Sequence, residues 1–75
     1  MLYYAYMDSS RIKLARKLKE KREKMGITQL DVATKSGVSI SYYARVERGE
    51  VNPSFEILNK IVRVLKLNSS EIFSP

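Results

Sequence analysis

Apolar positions recur at helical spacing along most of the chain, and cap residues and glycines divide them into segments. Leu14, Leu18 and Met25, with Ala15, fall on one stripe. Asp8, Ser9 and Ser10 predict the start of that first helix, and Gly26 predicts its end. A second helix follows over Gln29 to Ser36. Thr28 is its N-cap and Asp31 the short-armed partner of a capping box. Leu30 and Ala33 recur at helical spacing within it, with Val32 beside them, and Gly37 stops it. Ser39 caps a third helix, Ile40 to Arg48, which ends at Gly49. Tyr43 and Val46 mark its inner face, and Ile40, Ser41 and Arg45 lie on another.

The loop Glu50-Val51-Asn52-Pro53 cannot continue the helix through its proline, and Ser54 caps a fourth helix, Phe55 to Lys66. This segment is more apolar than one face requires. Phe55, Leu58, Val62 and Leu65 form one stripe; Ile57, Ile61 and Val64 form a second. The second is expected to be spare, and so a dimer surface. Asn68 with Glu71 predicts a short fifth helix, with Ile72 and Phe73 closing the core. No segment alternates like a strand. The expected fold is all-α, a compact five-helix bundle over residues 9–75, preceded by a Tyr-rich arm over 1–8. Three readings of that arm stay open: it folds back on the helices, contacts a second protomer, or trails as a disordered tail.

Composition narrows the function. Seventy-five residues make one domain, burying about 60% of the surface of the unfolded chain. Cysteine and histidine are both absent, which removes disulfides, thiolate ligands and the usual general base. No glycine-rich phosphate loop or metal-ligand cluster stands out. An enzyme is not expected, nor a metal, a cofactor or a small-molecule ligand. No apolar run approaches the roughly 18 residues of a membrane span, and MLYYAYM lacks the leading basic region of a signal peptide. A cytoplasmic protein without a membrane partner is expected. Lys+Arg number 14 against Asp+Glu 8, a balance that favours a polyanionic partner. Arg11, Lys13, Arg16, Lys17, Lys19, Lys21 and Lys24 crowd the outer faces of the first helix, as a solvated surface or a source of long-range attraction.

Two features give the charge a direction. Arg22 lies on the apolar side of its helix, four residues after Leu18, where a charge needs a partner; Glu47 is the candidate. Thr28 to Gly49 is a pair of short helices joined around Gly37, the helix-turn-helix pattern, whose second helix reads the major groove of double-stranded DNA.

The run Leu18, Arg22, Gly26-Ile27-Thr28-Gln29, Val32-Ala33, Ser36-Gly37-Val38-Ser39, Glu47-Arg48-Gly49, Pro53-Ser54, Leu58, Leu65 and Glu71-Ile72-Phe73 resembles the Cro/cI-type (XRE) helix-turn-helix family. It is similar to the DNA-binding domains of lambdoid repressors and to restriction–modification controller proteins. The resemblance spans about Leu14 to Phe73 and implies a lambda-repressor-like fold. Val32 departs from the more usual leucine, and the Tyr-rich arm is not part of the pattern.

The resemblance also implies roles. Ile40, Ser41, Tyr42 and Arg45 correspond to positions that meet base edges. Thr28, Gln29, Arg48, Asn52 and Ser54 correspond to positions around the backbone phosphates. Arg22 and Glu47 correspond to a structural ion pair between the first and third helices. Some alternatives stay open: Tyr42 as packing, Arg45 on a phosphate, Arg48 as a cap on the third helix. One recognition helix reads few bases, so a homodimer on a palindromic operator is expected, with Ile57, Ile61 and Val64 in the interface. The alternative is an antitoxin-type protein that holds a toxin partner and regulates its own operon.

Overall fold

The computed structural model describes the backbone of residues 2–68 and 71, with side chains from residue 10 onward. Among these residues there are four helices: α1 (Leu2–Lys24), α2 (Gln29–Ser36), α3 (Ile40–Glu47) and α4 (Phe55–Val64). The expected fifth helix lies almost wholly outside the described residues. Its cap is visible: Asn68 Oδ1 accepts the Glu71 N–H at 2.9 Å.

Local chemistry sets the short helices. Thr28 and Asp31 close a reciprocal capping box on α2, the Asp31 N–H donating to Thr28 Oγ1 at 3.0 Å and the Thr28 N–H to Asp31 Oδ2 at 2.9 Å. Ser39 accepts from the Tyr42 N–H at 3.0 Å, and Ser54 from the Ile57 N–H at 3.2 Å. At the end of α2, Gly37 adopts φ 72°, and Val38 N–H returns to the Ala33 carbonyl at 3.0 Å. A side chain at that φ would crowd the backbone, which is why glycine joins the two helices. The same return at the end of α4 uses a non-glycine residue, Lys66, at φ 55°.

Two expectations fail. Asp8, Ser9 and Ser10 do not start α1, which runs unbroken from Leu2. A cap residue starts a helix only where the preceding backbone leaves helical geometry, and no glycine or proline forces that between Leu2 and Ser10. The second error concerns α4. Ile61 is fully buried and belongs to the core with Leu18, Val32, Ala33, Tyr43, Val46 and Leu65. Ile57, Leu58 and Val64 pack against that cluster, whereas Phe55 is 84% exposed. The inward face is therefore centred on Ile61, and Ile61 cannot serve as a dimer contact. A ten-residue helix with two adjacent apolar stripes carries no internal signal for which turns inward; the helices it meets decide.

Candidate nucleic-acid interface

α3 has two chemically opposed sides. Tyr43, Val46 and Glu47 are buried beneath it. Ser41 and Arg45 face solvent, Ile40 keeps 45% of its surface, and Tyr42 is half-buried against the core. Arg48, just past the helix, is also exposed. An exposed row thus combines an aliphatic group, a hydroxyl, a phenol and two guanidinium groups. Among side chains these are suited to a thymine methyl, to polar base edges and to guanine O6 and N7.

What holds α3 is a charged knot beneath its inner end. Arg22 Nε donates to Glu47 Oε2 at 2.6 Å and Nη2 to Oε1 at 3.1 Å, a two-pronged bond from α1 to α3. Arg22 Nη1 also donates to the Ile27 carbonyl at 2.9 Å, fixing the turn before α2. Gln29 Nε2 donates to Glu47 Oε1 at 3.1 Å, so α2 joins the same carboxylate. Burial by itself would push the Glu47 carboxyl up. The bonds from Arg22 and Gln29, and the nearby Tyr43 hydroxyl, outweigh it and hold the group below its ordinary value. The bond to Glu47 raises Arg22 in turn. Tyr43 Oη is buried and lies beside this carboxylate without a hydrogen bond of good geometry. Burial first, and the Glu47 carboxylate beside it second, push its phenol well up, so it stays neutral. The knot is therefore a fixed ion pair flanked by a neutral phenol.

The other named residues frame α3. Gln29 is half-buried at the N-terminus of α2, its amide engaged with Glu47. The capping box uses the backbone N–H groups of Thr28 and Asp31; those of Gln29 and Leu30 have no partner within the helix, the arrangement of an anion site. Bonds from the Thr28 backbone and side chain hold the Asp31 carboxyl below its usual range. Asn52 and Ser54 are exposed in the loop after α3, with the Ser54 hydroxyl engaged as a cap. Ile57 and Val64 are half-buried on α4, on the core side.

Sequence reasoning passed over Glu50 as a loop residue. In the structure Arg48 Nε donates to Glu50 Oε2 at 2.5 Å, and Arg45 Nε lies 3.7 Å from Oε1. The available signal was spacing: an acid immediately after the glycine that ends a helix carrying two arginines. The contact of Gln29 with Glu47 was also missed, since nothing in a linear pattern directs a side chain on α2 toward α3. Among the described residues no cluster of His, Cys, Asp or Glu suits a metal ion, and no helix is long and apolar enough to cross a membrane.

Known proteins are similar to this chain in sequence and in fold. The helix-turn-helix family model matches residues 18–72. An HTH-type transcriptional regulator of Haemophilus influenzae is 38% identical over 55 residues, 73% of this chain and 56% of its own length. The HTH-type transcriptional regulator SlrR of Bacillus subtilis is 41% identical over 58 residues, 76% of this chain and 37% of that protein. The chain thus spans about a third to just over half of these curated relatives. Among solved structures, the restriction-modification controller protein C.AhdI from Aeromonas hydrophila superposes with a TM-score of 0.80 at 32% identity, covering 87% of this chain and 98% of that one. The clp gene regulator ClgR from Corynebacterium glutamicum also reaches 0.80, at 28% identity, over 84% of this chain and 67% of its own. The relatives and the fold are those of transcription regulators rather than of enzymes.

Proposed function

Because the chain belongs to the helix-turn-helix family of DNA-binding transcription regulators, we propose that it reads a specific operator through α3, as a homodimer in the cytoplasm. The observation that carries this reading is the division of α3. Its inner side is pinned by the Arg22–Glu47–Gln29 knot, and its outer side presents Ile40, Ser41, Tyr42 and Arg45. A rigidly held helix with an exposed, mixed polar row suits direct readout, because a bidentate base contact tolerates little misplacement.

Arg45 is assigned to a guanine edge and Ile40 to a thymine methyl, with Ser41 and Tyr42 completing the base-facing row. Thr28, Gln29, Arg48, Asn52 and Ser54 are assigned to phosphates on either side. Gln29 then has two tasks, bracing Glu47 and offering the N-terminus of α2 to a phosphate. Two copies double the bases read, and a twofold protein favours a palindrome with half-sites about 34 Å apart. The interface is assigned to the outer edges of Ile57 and Val64, which keep part of their surface in solvent. The antitoxin alternative finds no support among the relatives.

Selection of bound duplexes from a randomised pool, followed by sequencing, tests the reading. An enriched inverted repeat supports it, and an unenriched pool refutes it. Sedimentation equilibrium tests the assembly: a dimer at micromolar concentration that Val64→Glu shifts to monomer supports the assignment, and a monomeric wild type overturns it.

A further inference from the structure

A charged cluster lies on the exposed side of the helix-turn-helix at the C-terminal end of α3, and its centre is an acid. Glu50 accepts from Arg48 Nε at 2.5 Å and from Arg48 Nη2 at 3.4 Å, while Arg45 Nε lies 3.7 Å from its Oε1. All three side chains are about half exposed, at 53% for Arg45, 55% for Arg48 and 47% for Glu50. An exposed pair between mobile side chains is weak and easily exchanged.

This cluster has a fixed component. Gly49 turns the chain at φ 72°, its N–H donating to the Val46 carbonyl at 3.1 Å. The Glu50 N–H then returns to the Arg45 carbonyl at 3.0 Å. The acid is thereby bonded through its backbone to the residue that its side chain faces. The bond from Arg48 holds the Glu50 carboxyl below the usual range, so it is an anion at neutral pH.

We propose that Glu50 is a specificity-determining residue, an internal anion that occupies the guanidinium groups of Arg45 and Arg48 until a matching base edge draws Arg45 away. This rests on the assignment of those arginines to DNA. A non-cognate duplex offers phosphates without the matching base edge. A phosphate only replaces one anion at the guanidinium with another, and it also meets the negative charge of Glu50. A cognate site adds a guanine edge, whose two acceptors match the planar fork of Arg45 in a way that a carboxylate 3.7 Å away does not. The acid therefore weakens binding to every duplex, and weakens it most where no base partner is gained.

Fluorescence-anisotropy titrations of the full chain test the proposal, using the selected operator duplex and a scrambled duplex at several salt concentrations. Glu50→Gln keeps the size of the side chain and removes its charge. Glu20→Gln, on an exposed position of α1, removes the same charge elsewhere. Glu50→Gln is expected to tighten binding to the scrambled duplex about two- to five-fold, the scale of one exposed charge pair. It should tighten the operator less, so the specificity ratio falls, and steepen the salt slope on scrambled DNA by about 0.9 for each phosphate gained. Glu20→Gln should leave the specificity ratio unchanged. Equal behaviour of the two variants would overturn the proposal, as would weaker binding to both duplexes by Glu50→Gln. A wild-type chain that binds neither duplex would overturn the DNA assignment and this proposal together.

Discussion

Replacing Arg22 by methionine should both destabilise the protein and reverse the sign of its acid response. Methionine preserves much of the aliphatic stem and removes the guanidinium. Glu47 then loses its two-pronged partner, and the Ile27 carbonyl loses the bond from Nη1. The Glu47 side chain retains only 2% of its exposure, so the stranded carboxylate cannot be solvated in place. Breaking a buried pair from one side costs about 3–5 kcal/mol. A chain of 75 residues has a total stability of about 4–11 kcal/mol at ordinary per-residue values, so the loss takes a large share of it.

The pH dependence separates this mechanism from a simple packing defect. In the wild type the Glu47 carboxyl is depressed in the folded state. Its contribution is therefore present above its unfolded value of about 4.3 and is lost as pH falls through the folded value. In Arg22→Met, burial, the largest influence on this carboxyl, is opposed only by the Gln29 bond and the Tyr43 hydroxyl, and the folded value is expected to rise above the unfolded one. Folding then takes up a proton, and stability rises as pH is lowered from 7 towards 4, by up to about 1.4 kcal/mol per unit. Urea titrations at pH 7, 6 and 5 measure both effects through the midpoint at constant m-value. The double variant Arg22→Met/Glu47→Met should recover most of the loss, because a pair of apolar groups leaves no buried charge. A loss under about 1 kcal/mol at pH 7, or a variant whose stability stays flat or falls between pH 7 and 5, would refute the reasoning.

Other perturbations probe the frame and the reading face. Arg45→Ala should weaken binding at one base pair in each half-site by about 1–3 kcal/mol, measured on single-substitution duplexes. Uniform weakening across sequences would make Arg45 a phosphate contact. Lys66 holds φ 55°, so Lys66→Gly should stabilise the fold by about 1 kcal/mol and raise Tm by about 4–8 °C in a thermal melt. Gly49→Ala should cost about 1–2 kcal/mol in urea, because φ is 72° and a side chain there is strained; the new Cβ itself would only touch Ile12 Cγ1, at 3.4 Å.

Much of this arrangement was legible because short-range chemistry dictates it. Thr28, Ser39 and Ser54 announce helix starts through oxygens that reach amides three residues on, and Gly37 announces a turn that other residues resist. Arg22 and Glu47 could be paired because an unpartnered charge on an apolar face demands an opposite one, and their bond spans α1 and α3 in the structure. The start of α1 was misread because Asp8, Ser9 and Ser10 favour caps, yet a helix tolerates them in its interior where no residue before them breaks it. The inward face of α4 was misread for a different reason. Ile57, Ile61 and Val64 match Phe55, Leu58, Val62 and Leu65 in hydrophobicity, and only the positions of the neighbouring helices distinguish them. Glu50 escaped notice because its role depends on a backbone turn that folds it against Arg45 and Arg48, which spacing suggests but does not determine.

The central claim is that α3 reads sequence while the surrounding basic residues supply grip. Binding isotherms of the wild-type chain on its selected operator and on a scrambled duplex, taken from 50 to 200 mM salt, test it most directly. Log K is expected to fall linearly with log salt on both duplexes, with the operator favoured by at least about 10³. A flat salt dependence, or equal affinity for the two duplexes, would contradict it.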